Sequence, residues 1–208
     1  MEKKGFAMAK QIVFYWDFTS PYAYIGANQI EAVARKHNRS VDWRPISIGH
    51  LWKAIPDRTP FPKVKMDYME HDWTRSAQLA GLPIVTTPNP FPTDVKLPRL
   101  LFYRLKEQNP TKAVAFAKAA FRQYWGEGKD IAKPEHLKTV VHVAGVPEAE
   151  IAKAAEDTNA RQAVLDATAE AIELKAFGTP TFIVDDEMFW GSDRIDHIDR
   201  WLSLAHKK

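Results

Sequence analysis

The chain has 208 residues, one large domain or two small ones, and a chain of this length buries ~70% of its unfolded surface. With 45% hydrophobic residues, 12% aromatic and a net charge of +3, it is not a disordered chain, and 29 Lys+Arg against 26 Asp+Glu is too even for a nucleic-acid binder. The absence of cysteine excludes disulfides, a cysteine nucleophile, a Cys-x-x-Cys redox pair and thiolate metal sites.

Residues 11–17, QIVFYWD, are β-branched and aromatic, the composition of a buried strand. Ser20-Pro21 then pairs an N-cap residue with proline at the first helical position, so a helix is expected over 21–38. Tyr24, Ala27, Ile30, Ala34 and His37 share one face of it. Residues 41–48, VDWRPISI, read as a second strand, with Pro45 at a bulge or a sheet edge, and the opening is a βαβ unit. The prolines of 51–62 predict a loop or a short irregular helix. Residues 63–80 have helical spacing through Val64, Tyr68 and Asp72, ended by Gly81, and a proline-dense loop fills 85–94. Helices are expected over 97–108, 111–126, 134–144, 147–155 and 159–176, with breaks at Asn109-Pro110, Gly126 and Gly128, Gly145 and Pro147, and Gly178. TFIVDDEMFWG at 181–191 reads as two short strands around Asp185-Asp186. Residues 194–205 form an amphipathic helix with Ile195, Ile198, Trp201 and Leu202 on one face. The order is βαβ, a long helical insert, then ββα: an α/β chain without internal repeats.

The chain has no Gly-x-Gly-x-x-Gly, no P-loop, no Gly-x-Ser-x-Gly elbow and no His-Glu-x-x-His. Its seven histidines are scattered, and His136 and His142 do not share a helical face, so no metal site is expected. The N-terminal MEKKGFAMAK lacks the apolar stretch of a secretory signal, and no apolar run approaches the ~18 residues of a membrane span. The expectation is a soluble cytoplasmic protein with neither nucleic acid nor membrane as partner.

Three segments could carry chemistry. In Asp17-Phe-Thr-Ser-Pro-Tyr-Ala-Tyr24 a strand delivers Ser20 to a helix N-terminus. Ser20 either caps the helix or, aided by free amides and the helix dipole, donates a hydrogen bond to a bound thiolate. Phe177-Gly-Thr-Pro-Thr181 is either a helix stop with a trans proline or a cis Thr179-Pro180 step that presents the Thr179 backbone to a peptide ligand. In Phe189-Trp-Gly-Ser-Asp-Arg194, Ser192 and Asp193 either cap the last helix or form a corner for an ammonium and a carboxylate.

Together these segments resemble the 2-hydroxychromene-2-carboxylate isomerases, relatives of the kappa-class glutathione transferases. The matching pieces are DFTSPYAY (17–24), KVKMDY (63–68), AQLAGLP (77–83), Trp125-Gly-Glu-Gly128, FGTPTF (177–182) and DEMFWGSDR (186–194). The resemblance implies a thioredoxin-like fold of the DsbA kind with a long all-helical insertion. The thioredoxin-like domain would comprise 10–55 and 177–208, and the inserted helical domain 56–176. Ser20-Pro21-Tyr22-Ala23 stands where a redox relative carries Cys-x-x-Cys. It implies glutathione as cofactor, with Ser20 catalytic and facing the sulfur, Thr179 pairing with the cysteinyl backbone, and Trp190, Gly191, Ser192 and Asp193 holding the γ-glutamyl end. It implies a small aromatic carboxylate as substrate, met by Lys53, Asn89 and Tyr22. Tyr22, Trp125 and Trp190 would wall an aryl pocket or pack in the core. A homodimer acting in aromatic-hydrocarbon catabolism follows from the same resemblance. A kappa-like transferase and a non-catalytic peptide- or thiol-binding module are the alternatives. One departure stands out: AIPDRTPFP at 54–62 is shorter than the family segment, and Asp57 replaces a neutral group, leaving Arg58 to compensate.

Overall fold

The computed structural model describes residues 11–84 and 87–205. Residues 1–10, which carry the segment read above for a targeting signal, lie outside the described residues, as do Val85 and Thr86 of the proline-dense loop and 206–208.

Strand β1 (Ile12–Trp16) leads through helix α1 (Pro21–Lys36) to β2 (Val41–Pro45), which pairs with β1 in parallel, Phe14 opposite Trp43. A parallel pair needs a crossover, and α1 supplies it. The chain closes with β3 (Thr181–Val184), β4 (Glu187–Trp190) and α9 (Ile195–Ala205). Strand β3 runs antiparallel to β1, and β4 antiparallel to β3, giving the order β2-β1-β3-β4. Asp185 and Asp186 join β3 to β4 with φ of 51° and 69°, the left-handed pair that a two-residue hairpin of matching twist requires. Pro45 ends β2, an edge strand, where its missing N–H costs no ladder bond.

Between β2 and β3 lie α2 (Ile48–Lys53), α3 (Lys63–Leu79), α4 (Lys96–Gln108), α5 (Pro110–Phe121), α6 (Pro134–Val143), α7 (Ala149–Glu156) and α8 (Thr158–Glu173). Side chains set several of these starts. Asn109 accepts from the Lys112 amide before Pro110 opens α5, and Asp157 accepts from the Ala160 amide to open α8.

The sheet packs on both faces. Ile12, Phe14 and Trp16 join Phe182, Val184, α1, α9 and helices α4–α6 in one large cluster. Its centre is aromatic: Phe14 stacks on Phe182 at 5.0 Å and meets Trp43 edge-on at the same distance, while Trp16 meets Phe18 edge-on at 4.7 Å. Each such side chain contributes about 1.5–3 kcal/mol on burial. On the opposite face Tyr15 packs with Ile46, Leu51, Ala167 and Ala171, from the β2–α2 segment and α8. The predicted α1 stripe of Tyr24, Ala27, Ile30, Ala34 and His37 is buried throughout.

The structure corrects three local expectations and, for α3, adds which face is buried. The second strand ends at Pro45 rather than residue 48, and Ile48 opens a helix, because its amide donates to the Asp17 carboxylate at 3.1 Å. The helix expected over 111–126 gives way to a π-helical turn over Arg122–Gly126. In α3 Val64 and Tyr68 face outward, while Trp73 and Ala77 are buried. In α9 Ile195, Ile198 and Leu202 are buried but Trp201 is not; it lies beside Phe189, with ring centroids 6.3 Å apart.

Candidate functional site

Ser20 is the N-cap of α1. Its Oγ accepts from the Ala23 amide at 3.1 Å and donates to the Thr179 carbonyl at 2.9 Å. The first bond is the capping role; the second reaches 159 positions along the chain. Pro21 has no N–H, the Ala23 amide is taken by Ser20 Oγ, and the Tyr24 amide bonds Ser20 O at 3.2 Å. Among the described residues the Tyr22 amide has no acceptor, so one donor remains at a helix terminus that favours anions.

The turn before Ser20 is built by Asp17, which the sequence reading left without a role. Its carboxylate is fully buried and accepts from the Thr19 amide (2.9 Å), the Thr19 hydroxyl (2.8 Å) and the Ile48 amide. Arg99 Nε, buried without a hydrogen-bond partner, lies 3.7 Å from it. One side chain therefore holds both the Ser20 turn and the start of α2. The legible signal was Asp-x-Thr at a strand end, the pattern of an Asx turn.

The Thr179-Pro180 bond is cis. The Thr179 carbonyl is occupied by Ser20, and its amide has no acceptor among the described residues. Gly178 lets the indole approach closely: a Cβ there would stand 2.5 Å from Trp190 Nε1 and force that side chain to shift. Trp190 is half exposed and packs on Phe177 with centroids 4.8 Å apart. Gly191 has φ of 106°, and a Cβ there would run into Asp193 Oδ1. Ser192 is buried, and Asp193 is exposed beside Arg194 at 3.1 Å. Neither side chain caps the short 3₁₀ turn over Ser192–Arg194.

Tyr22 is half-buried and donates to Asp72 of α3 at 2.7 Å; Arg75 bonds the same carboxylate. Burial, and then the hydrogen bond to Asp72, raise the Tyr22 phenol above its ordinary range, so it stays protonated. Trp125 is no cleft wall: it is fully buried, its indole donating to the Phe18 carbonyl at 2.9 Å from the π-helical turn. Tyr24 donates to the Pro83 carbonyl at 2.9 Å, beside Gly126. The segments around residues 20, 68, 83, 125 and 180, far apart in sequence, are thus brought together around the start of α1.

Lys53 ends α2, exposed, and lines an open depression with Trp52, Ile55 and Arg58. Ile55 also lines an adjoining apolar recess with Phe177. Asn89 is exposed on the 87–94 loop, and its side chain bonds neither Ser20 nor Thr179. Among the described residues no group of three or more His, Cys, Asp or Glu side chains is placed to hold a metal, and no helix is long and apolar enough to cross a membrane.

The chain matches the family model of the DSBA-like thioredoxin domain over residues 11–203. It is 31% identical to a 2-hydroxychromene-2-carboxylate isomerase of Pseudomonas putida over 88% of this chain and 89% of that one. A solved 2-hydroxychromene-2-carboxylate isomerase superposes with a TM-score of 0.80 at 26% identity, covering 95% of this chain and 97% of the other. Glutathione S-transferase kappa 1 of Caenorhabditis elegans is 24% identical over 88% of this chain and 87% of its own. A thioredoxin sheet, a long helical insert and relatives matched over nearly their whole length lead to one conclusion: the chain belongs to the DsbA-like thioredoxin family and, within it, to the 2-hydroxychromene-2-carboxylate isomerase family of enzymes.

Proposed function

We propose that the protein is a glutathione-dependent isomerase that interconverts 2-hydroxychromene-2-carboxylate and trans-o-hydroxybenzylidenepyruvate, or a closely related aromatic acid, in aromatic-hydrocarbon catabolism. The observation that carries this reading is the Ser20–Thr179 hydrogen bond, which joins a hydroxyl at a helix N-terminus to a peptide edge. The residues fit a thiol tripeptide on three counts. The Thr179 amide is an unused donor beside Ser20. The α1 terminus keeps the Tyr22 amide for an anion. Buried Ser192 and exposed Asp193 form a polar corner beyond Trp190 for the γ-glutamyl group.

When bound, glutathione supplies the thiolate whose reversible addition to the conjugated double bond of the substrate permits rotation about it. Ser20 can turn its single proton from the Thr179 carbonyl to a sulfur anion while keeping the Ala23 amide on its lone pair. The positive end of α1 favours the anion over the thiol. Tyr22, with its hydroxyl committed to Asp72, offers a ring face rather than an acid. Lys53 and Asn89 are the polar groups for the substrate, Lys53 opposing the negative charge that develops on its keto-acid end. The reading places the enzyme in the cytoplasm, where a reduced glutathione pool is available.

The test follows the interconversion by absorbance with and without glutathione, beside Ser20→Ala. Glutathione-dependent turnover that falls about a hundredfold in the variant supports the reading; no turnover in the parent protein overturns it. The kappa transferase relative supports a second reading, conjugation. Free glutathione recovered after turnover argues for isomerisation, and its consumption argues for transfer. A homodimer belongs to the same proposal and is checked by light scattering.

A further inference from the structure

Lys53 and Arg58 line one open depression of about 460 Å³ beside α2. Neither cation has an acidic partner among the described residues. That sets them apart from Arg39, Arg44, Arg75 and Arg104, each paired with a carboxylate. Asp57 lines the same depression without pairing with either. Arg58 is held by aromatic rings instead: its guanidinium lies over Trp52 at 3.8 Å and near Phe61 at 5.3 Å. Held in this way a guanidinium is weakly hydrated and keeps its N–H donors for a planar anion. Lys65 sits over the other partner ring, Phe61, at 4.3 Å and adds positive potential.

The neighbouring space has the opposite character. Ile55 is shared with a recess of about 240 Å³ walled by Leu51, Pro56, Ile172, Ala176 and Phe177, with Lys175 also on its lining. Phe177 is two residues from Thr179, whose carbonyl accepts from Ser20. A cationic depression thus adjoins an apolar recess through Ile55, and the Phe177 wall of that recess is close in sequence to the Ser20 partner Thr179.

We propose that Arg58 is a specificity-determining residue: it receives, beside Lys53, the carboxylate of an aromatic acid whose ring enters the recess next to Phe177. This deepens the isomerase reading and rests on it for the direction of the bound acid.

The experiment uses trans-cinnamate as probe, titrated calorimetrically into the protein without glutathione, with cinnamyl alcohol as the uncharged control. Arg58→Gln is expected to weaken cinnamate about tenfold, the loss of one charge-assisted pair. Arg58→Lys is expected to recover only part of this, because an ammonium lacks the planar fork. Lys175→Met is expected to change binding less than about twofold, as for an exposed charge without the stacked geometry. In turnover, Arg58→Gln is expected to raise KM for the chromene carboxylate about tenfold with kcat nearly unchanged, the mark of uniform binding. No saturable cinnamate binding by the parent, equal binding by Arg58→Gln with an unchanged melting curve, or a large loss only in Lys175→Met overturns the proposal. If the parent binds cinnamate through Arg58 but shows no isomerase turnover, the functional reading fails and this one stands.

Discussion

Two regions of the molecule are built on opposite plans. Around Ser20 the polar side chains are committed, Ser20 to Ala23 and Thr179, Asp17 to Thr19 and Ile48, Tyr22 to Asp72, and among the described residues the Tyr22 and Thr179 amides are left as donors. Around residues 52–58 the cations are uncommitted and only aromatic rings hold Arg58. The difference separates two tasks. A reacting atom needs a fixed donor, and fixity comes from satisfied hydrogen bonds in a buried frame. Recognition of a charged substrate needs unpaired charge that is pre-oriented yet open.

Breaking the frame has the largest expected effect. Asp17→Ala leaves the Ile48 and Thr19 amides without their acceptor and Arg99 without its counter-charge, and is expected to lose about 3 kcal/mol in urea unfolding. An unchanged midpoint would show that the frame is not what positions Ser20. Ser20→Ala separates frame from chemistry: turnover is expected to fall about a hundredfold, while the lost cap lowers stability by only about 1 kcal/mol. Gly178→Ala tests the packing of Trp190 beside Thr179. Its Cβ would meet Trp190 Nε1 at 2.5 Å, so a loss of about 2 kcal/mol is expected with weaker glutathione binding by calorimetry.

The smallest effect lies away from both regions, in the helical insert. Lys153, then Arg104 and Gln108, hold the Glu150 carboxyl down from its ordinary 4.5 to about 2. A carboxyl lowered on folding stabilises the protein above its unfolded value, and that contribution fades as pH falls from 4.5 toward 2. Glu150→Gln is therefore expected to lower Tm by about 2–4 °C at pH 7 and to converge with the parent near pH 2. Because Glu150 touches neither region, catalytic turnover at pH 7 should be unaffected.

The stretches that sequence rendered legible are those with local causes. Ser20-Pro21 announced the start of α1 through capping chemistry, and the stripe from Tyr24 to His37 announced its buried face. Asp185-Asp186 announced the hairpin, since polar residues tolerate left-handed backbone. The failures share another cause. Ile48 opens a helix because of a carboxylate 31 positions earlier, and the helix expected to run to residue 126 widens into a π-helical turn from which the Trp125 indole reaches the Phe18 carbonyl. Arg58 read as a substitute in an altered segment, but its lack of an ion pair and its place over Trp52 depend on where α2 ends.

By itself the sequence determined the order of elements, the caps that start them, and the absence of any thiol chemistry from the chain itself. Backbone preference and side-chain periodicity act over a few residues, so those features need no distant partner. Only the tertiary structure decided that Ser20 meets the Thr179 carbonyl, that Asp17 governs two turns, and that Lys53 and Arg58 share an unpaired cationic depression. Such contacts join residues that only chain closure brings together, and their energies follow from burial and distance rather than from neighbours along the chain.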